Sequence, residues 1–233
     1  LYGGNTLFAP AVWAGKTFEM LATAMEGKRL GLHHKSLIAV PGHLTEQMGA
    51  DFLKLYPNAN ILVATAADFS KKNRQKLFSK IATGDFDAII IGHSQLLKVP
   101  VSQKFQSKII KKQIDEMAEV LESTRSTDKN SFTVKQMEKM KEDLEVKLSK
   151  LLETPKRDDV IDFEQLGVDK LFVDEAHLFK NLMIATKMSN ISGLSTNANI
   201  QKTMDLYSKC QYLDEITGGK GIVFASGTPI NTL

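Results

Sequence analysis

The chain has 233 residues, 42% of them hydrophobic and 24% charged, enough to bury a full core as one domain with decoration. No apolar run reaches membrane-span length and the N-terminus lacks a signal-peptide pattern, so the composition reads as that of an ordinary water-soluble protein. Thirty basic residues against 27 acidic leave a net charge of +3, too small to indicate a nucleic-acid binder by itself, although a local basic patch stays open.

The single cysteine, Cys210, excludes an internal disulfide framework and fits a reducing cytoplasm, the expected location. The chain starts at Leu1 without a methionine and stops at Leu233 just after a turn motif, so a piece of a longer polypeptide is expected.

Six short apolar runs recur at 6–9, 37–40, 61–64, 88–91, 171–173 and 222–225, each bounded by turn or polar residues. They are continuous rather than alternating, the pattern of strands covered on both faces in a parallel sheet. Most segments between them have helical spacing. Residues 17–25 place Phe18, Leu21 and Met25 on one face, and Glu26-Gly27 marks the expected end. Leu44, Met48 and Phe52 recur through 44–55, and Leu77 and Ile81 through 71–81. A helix over 199–216 carries Ile200, Met204, Tyr207 and Leu213 and ends at Gly218-Gly219. Strands alternating with helices of this length predict an α/β fold with a mostly parallel sheet and right-handed crossovers.

Residues 103–160 break that rhythm. Ile110, Ile114, Met117 and Leu121 form one apolar series; Met137, Met140, Leu144, Leu148 and Leu151 form a second. Thr133 and Gln136 have capping-box spacing at the start of the second, and Thr154-Pro155 ends it. A helical hairpin is expected, inserted into an α/β unit made of 1–102 and 161–233. Its charges mix signs at i,i+4, as in Lys112/Glu116 and Asp143/Lys147, which reads as a solvated face; a DNA or partner contact is the alternative.

The run Leu171-Phe172-Val173 ends in two acids, Asp174-Glu175, followed by Ala176-His177. Two carboxylates at the mouth of a sheet are costly unless something positive sits there, and a magnesium–nucleotide complex is the usual guest. Ala14-Gly15-Lys16-Thr17 follows the first strand and opens a helix, the context of a phosphate-binding loop. Lys16 would reach the β/γ oxygens, and the Thr17 hydroxyl would take a magnesium position. The full glycine pattern is not met: Pro10 stands at the first glycine and Trp13 lies within the loop, where close approach of a phosphate favours glycine. If the two strands are neighbours, Asp174 holds the magnesium and Glu175 orients or deprotonates the attacking water. Ala225-Ser226-Gly227-Thr228-Pro229 brings small hydroxyls to the same edge, able to bond His177 or Glu175.

Gly-Lys-Thr, Asp-Glu-Ala-His and Ser-Gly-Thr-Pro, in this order at these strand ends, resemble the first motor lobe of a superfamily 2 helicase. The extension through Lys180 and Asn181 is similar to the Swi/Snf-like DEAH-box branch of DNA translocases. The neighbouring sequence is also similar to helicase portions of large phage and mobile-element polypeptides that carry a DNA methylase. This resemblance implies a RecA-like, P-loop, three-layer α/β/α lobe that binds ATP and Mg2+ and acts as a DNA-dependent ATP hydrolase. Lys16, Asp174 and Glu175 would be its catalytic set, with Ala14, Gly15, Lys16 and Thr17 on the phosphates and Thr17 and Asp174 on the metal. His177, Ser226 and Thr228 would couple hydrolysis to movement. Pro41, Gly42 and His43 (motif Ia), with His93 and Ser94 (motif Ib), would lie along a DNA backbone. A second lobe of the same polypeptide, with the arginines that complete the ATP site, is expected downstream, so this piece alone would turn over ATP poorly. Pro10 and Trp13 motivate an alternative, a degenerate lobe that binds DNA or protein without ATP turnover. A P-loop NTPase unrelated to nucleic acid leaves the Ser226–Thr228 turn unexplained.

Overall fold

A computed structural model describes residues 4–10, 14–125, 132–154, 161–179 and 200–228. The apolar runs form strands β1 (Thr6–Phe8), β2 (Ser36–Val40), β3 (Ile61–Val63), β4 (Ala88–Gly92), β5 (Lys170–Val173) and β6 (Ile222–Ala225). All pairings are parallel, in the order β1-β6-β5-β2-β4-β3.

Every residue of β2, β4 and β5 is buried, because alternate side chains feed two separate apolar layers. Ile38, Val40, Ile90 and Phe172 pack with Met20, Leu21 and Ala24 of α1 (Lys16–Arg29) and with Met48 and Phe52 of α2 (Thr45–Leu55). Leu37, Ala39, Ile91 and Val173 point the other way, toward Leu77, Phe78 and Ile81 of α3 (Arg74–Thr83) and Leu206 and Leu213 of α7 (Ile200–Thr217). Helices therefore cover both faces of one sheet, the three-layer α/β/α arrangement of a RecA-like fold.

Helix α1 departs from the expected face and end. Phe18 is 57% exposed, and the buried stripe is instead Met20, Leu21 and Ala24. Gly27 does not stop the helix. A Cβ there would stand 2.1 Å from Cε1 of His33, whose ring lies across the helix with Nε2 2.9 Å from the Ala24 carbonyl. The glycine makes room for a ring. The helix ends later, where Leu32 N–H donates to Gly27 O and Gly31 N–H to Lys28 O.

A short helix, α4 (His93–Leu96), follows β4 directly and was not signalled by periodicity. Helices α5 (Gln103–Arg125) and α6 (Phe132–Glu153) pair through Ile110, Met117 and Leu121 against Val134, Met137 and Leu144. Lys112–Glu116, at 3.8 Å, and Lys141–Glu145, at 2.8 Å, line the exposed flanks as i,i+4 pairs. The expected cap at Thr133 and Gln136 lies outside the described side chains. Among the described residues no helix is long and apolar enough to cross a membrane.

Candidate active site

Parallel strands deliver the loops that follow them to a single edge, so the residues after β1, β2, β4, β5 and β6 share the carboxyl side of the sheet. β1 and β5 are not neighbours, contrary to the simplest expectation: β6 lies between them. Two strand spacings put them roughly 9.5 Å apart, a gap that the loop after β1 and the Lys16 side chain cross together.

Lys16, the first residue of α1, bridges it. Its Nζ stands 2.9 Å from Asp174 Oδ1 and donates to Glu175 Oε1. Burial works against the ammonium charge, but its bonds to Glu175 and Asp174 and their charges outweigh that cost and raise its pKa above the usual lysine value. Gly15 caps α1 with φ +91°, a conformation that suits glycine, and Ala14 and Gly15 are exposed. The first intrahelical bond runs from Glu19 N–H to Gly15 O, so the amides of Lys16, Thr17 and Phe18 face out of the helix N-terminus. Thr17 is half-buried beside them. Trp13 lies outside the described residues, as do Lys180, Asn181 and Pro229.

Asp174 is 3% exposed. Its own N–H donates to Ala39 O of β2 at 2.8 Å, and its Oδ1 accepts the Glu175 N–H at 3.0 Å. Glu175 follows with φ +48°, the one non-glycine residue in the left-handed region among those described. That conformation costs on the order of 1–2 kcal/mol and persists only where neighbours hold it. A 3-10 turn, Ala176–Phe179, comes next. His177 Nδ1 sits 3.2 Å from Glu175 Oε2 and 3.0 Å from Ser226 Oγ. Ser226, buried at the end of β6, accepts the Thr228 N–H at 3.1 Å, and its own N–H donates to Phe8 O of β1. The serine thus sits between the Lys16 loop and the acids.

The motif Ia and Ib residues divide. Gly42, His43 and Ser94 are exposed at the same edge and Pro41 is half-exposed, after the paired strands β2 and β4. His93 is not at the surface. It is 7% exposed, its Nε2 lies 2.9 Å from the Asp174 carbonyl, and its ring packs edge-on against Phe179 at 4.9 Å. The physical reason is continuity. β4 runs buried to Gly92, and the next side chain turns into the core rather than out to the edge where Gly42, His43 and Ser94 stand.

Sequence reading also missed Phe179, which carries the Lys202 ammonium 4.2 Å from its ring centre. The available signals were an apolar strand running without a break into Gly92-His93, and an aromatic one turn beyond the acid pair.

The donor set suits a magnesium-bound polyphosphate. It comprises one buried carboxylate, one half-exposed carboxylate, a helix N-terminus and a lysine that already supplies the acids with a cation. Among the described residues no three His, Cys, Asp or Glu side chains gather into a metal site. A family model described as "Probable helicase domain" matches residues 3–233 of this chain. No curated protein matches it.

Proposed function

The chain belongs to the probable helicase domain family, and from that premise we propose that it is the ATP-binding, first RecA-like lobe of a Swi/Snf-like, DEAH-box DNA translocase. The observation that carries this reading is the convergence of Lys16 with Asp174 and Glu175 on one edge of the sheet, from positions 159 residues apart. ATP with Mg2+ supplies the phosphoanhydride bond whose cleavage drives movement. Lys16 exchanges its carboxylate partners for the β/γ oxygens, assisted by the amides at the start of α1. Thr17 and Asp174 hold the metal, and Glu175, freed from Lys16, takes the proton of the attacking water.

His177 reports that change. Its Nδ1 sits within bonding reach of both Glu175 Oε2 and Ser226 Oγ, so loss of charge at Glu175 shifts its bond toward the serine and the Thr228 backbone, and return of that charge shifts it back. DNA would run over Pro41, Gly42, His43 and Ser94, touching backbone rather than bases. A second lobe of the same polypeptide would close the site with its arginines, worth roughly 10³–10⁵ in rate.

Glu175→Gln in the two-lobed protein tests the reading. DNA-stimulated ATP hydrolysis should fall by about 10²–10⁴-fold, the range for loss of a general base, while ATP binding persists. Unchanged turnover would refute the assignment.

A further inference from the structure

We propose that His93 is a positioning residue for the two carboxylates, fixing the peptide that joins Asp174 to Glu175 by a hydrogen bond from Nε2–H to the Asp174 carbonyl. The proposal rests on reading those acids as the hydrolytic pair. That one peptide is held at both of its polar atoms. Its carbonyl accepts from His93 at 2.9 Å, and its N–H donates to Asp174 Oδ1 at 3.0 Å. The preceding amide, of Asp174, is tied to Ala39 O. The backbone is therefore over-determined just before Glu175 enters φ +48°.

The same imidazole reaches the far end of the turn. Its ring meets Phe179 edge-on, at 73° between planes, so His93 contacts both ends of the segment that carries Glu175 and His177. A carbonyl can only accept, so in the 2.9 Å contact with the Asp174 carbonyl the hydrogen stands on Nε2. The side chain is 7% exposed, so it acts through what it packs against. It shapes where the carboxylates stand, and it does so from the strand end whose next residue, Ser94, is exposed.

Two substitutions separate the hydrogen bond from the packing. His93→Phe keeps the ring and its contact with Phe179 but has no donor, whereas His93→Gln places an amide N–H close to the Nε2 position. In the two-lobed protein His93→Phe should lower kcat for ATP by about 10–100-fold, as loss of an outer-shell partner does, with KM for ATP little changed. His93→Gln should recover most of that loss. If His93→Phe does not fold, His93→Asn takes its place, since its amide stands at the Nδ1 position and cannot reach the carbonyl. Parental turnover in the donor-less variant overturns the proposal; so does an equal loss in His93→Gln, which would assign the effect to the ring.

A second readout is independent of turnover. Amide exchange over residues 174–178 of this chain should lose protection in His93→Phe and keep it in His93→Gln, with β2 as the folding control. A parent protein that hydrolyses no ATP would sink the helicase reading and leave this measurement to decide the hydrogen bond. Unchanged protection in His93→Phe would overturn it.

Discussion

Lys16 and Lys209 each meet an aspartate, one at the carboxyl edge of the sheet and the other in the middle of α7, where Asp205 lies one turn earlier. The Lys16 side chain is 19% exposed and shared between two acids; the Lys209 side chain is 0% exposed and has one acid, with the Phe163 ring 5.9 Å away. Their proton affinities move in opposite directions. Lys16 is raised because two carboxylates overcome its partial burial, while burial lowers Lys209 and raises Asp205, so both members of that pair lean toward neutrality. Acids outnumber cations at the first position and an opening to water adjoins it, which are the conditions for exchanging the lysine against another cation. At the second, the ammonium itself is sealed and is met by a single acid, whose own side chain is 22% exposed. A lysine–carboxylate contact therefore does not mark a site in this fold; stoichiometry and access do.

Removing the acid that pairs with the sealed ammonium should have the largest effect. Asp205→Ala strands an ammonium beside Phe163 and should cost about 3–5 kcal/mol in a urea unfolding titration, as expected when a buried pair loses one partner. Replacing both, Lys209→Met with Asp205→Leu, should return most of the loss, because no charge is left to bury. A cost for Asp205→Ala below about 1 kcal/mol, the scale of a surface pair, would break the contrast.

At the edge site the corresponding change should be milder. Lys16→Met removes the cation from two carboxylates, of which only Asp174 is deeply buried, and should cost about 1–3 kcal/mol, the penalty for an unmatched buried acceptor. Millimolar Mg2+ should recover part of that stability in Lys16→Met and none in Asp205→Ala. Recovery in both, or in neither, would place the two lysines in one class.

The parts of this arrangement differ in how far sequence reveals them. The six strands were legible because an apolar run with no polar interruption must be covered on both faces, and the acids after Val173 were legible because such a run cannot end in two charges without a partner. Strand order was not: nothing local to 6–9, 171–173 or 222–225 tells that β6 separates β1 from β5, since that depends on which helices cover which face. Gly27 read as a stop because the ring that needs its missing Cβ, His33, comes from beyond the helix end. His93 was expected along a DNA backbone, and its burial was not legible for a similar reason; its partners, Asp174 and Phe179, lie more than 80 residues away. Asp205 and Lys209 show an i,i+4 spacing that any solvated helix shares, and the Phe163 ring beside the lysine comes from another part of the chain.

The smallest effect is also the most specific, because the two lysines should respond to alkaline pH with opposite signs. The Lys16 pKa is raised above its ordinary 10.5, so its pairing contributes fully below pH 10.5 and is lost as pH rises through the higher folded value. The Lys209 pKa is lowered below 10.5, so between its folded value and 10.5 the unfolded chain binds more protons, and stability attributable to that residue rises with pH. Urea midpoints of the parent and of Lys16→Met, followed from about pH 8 to 11, should hold a constant gap below 10.5 and begin to close it above, as the parent starts to lose its pairing. Against Lys209→Met, the parent should gain as pH rises toward 10.5. Using each variant as its own reference cancels the remaining lysines and tyrosines, which titrate in parent and variant alike. Slopes of the same sign would mean that both ammonium groups are held in one way, and the edge site would lose its claim to an exchangeable cation.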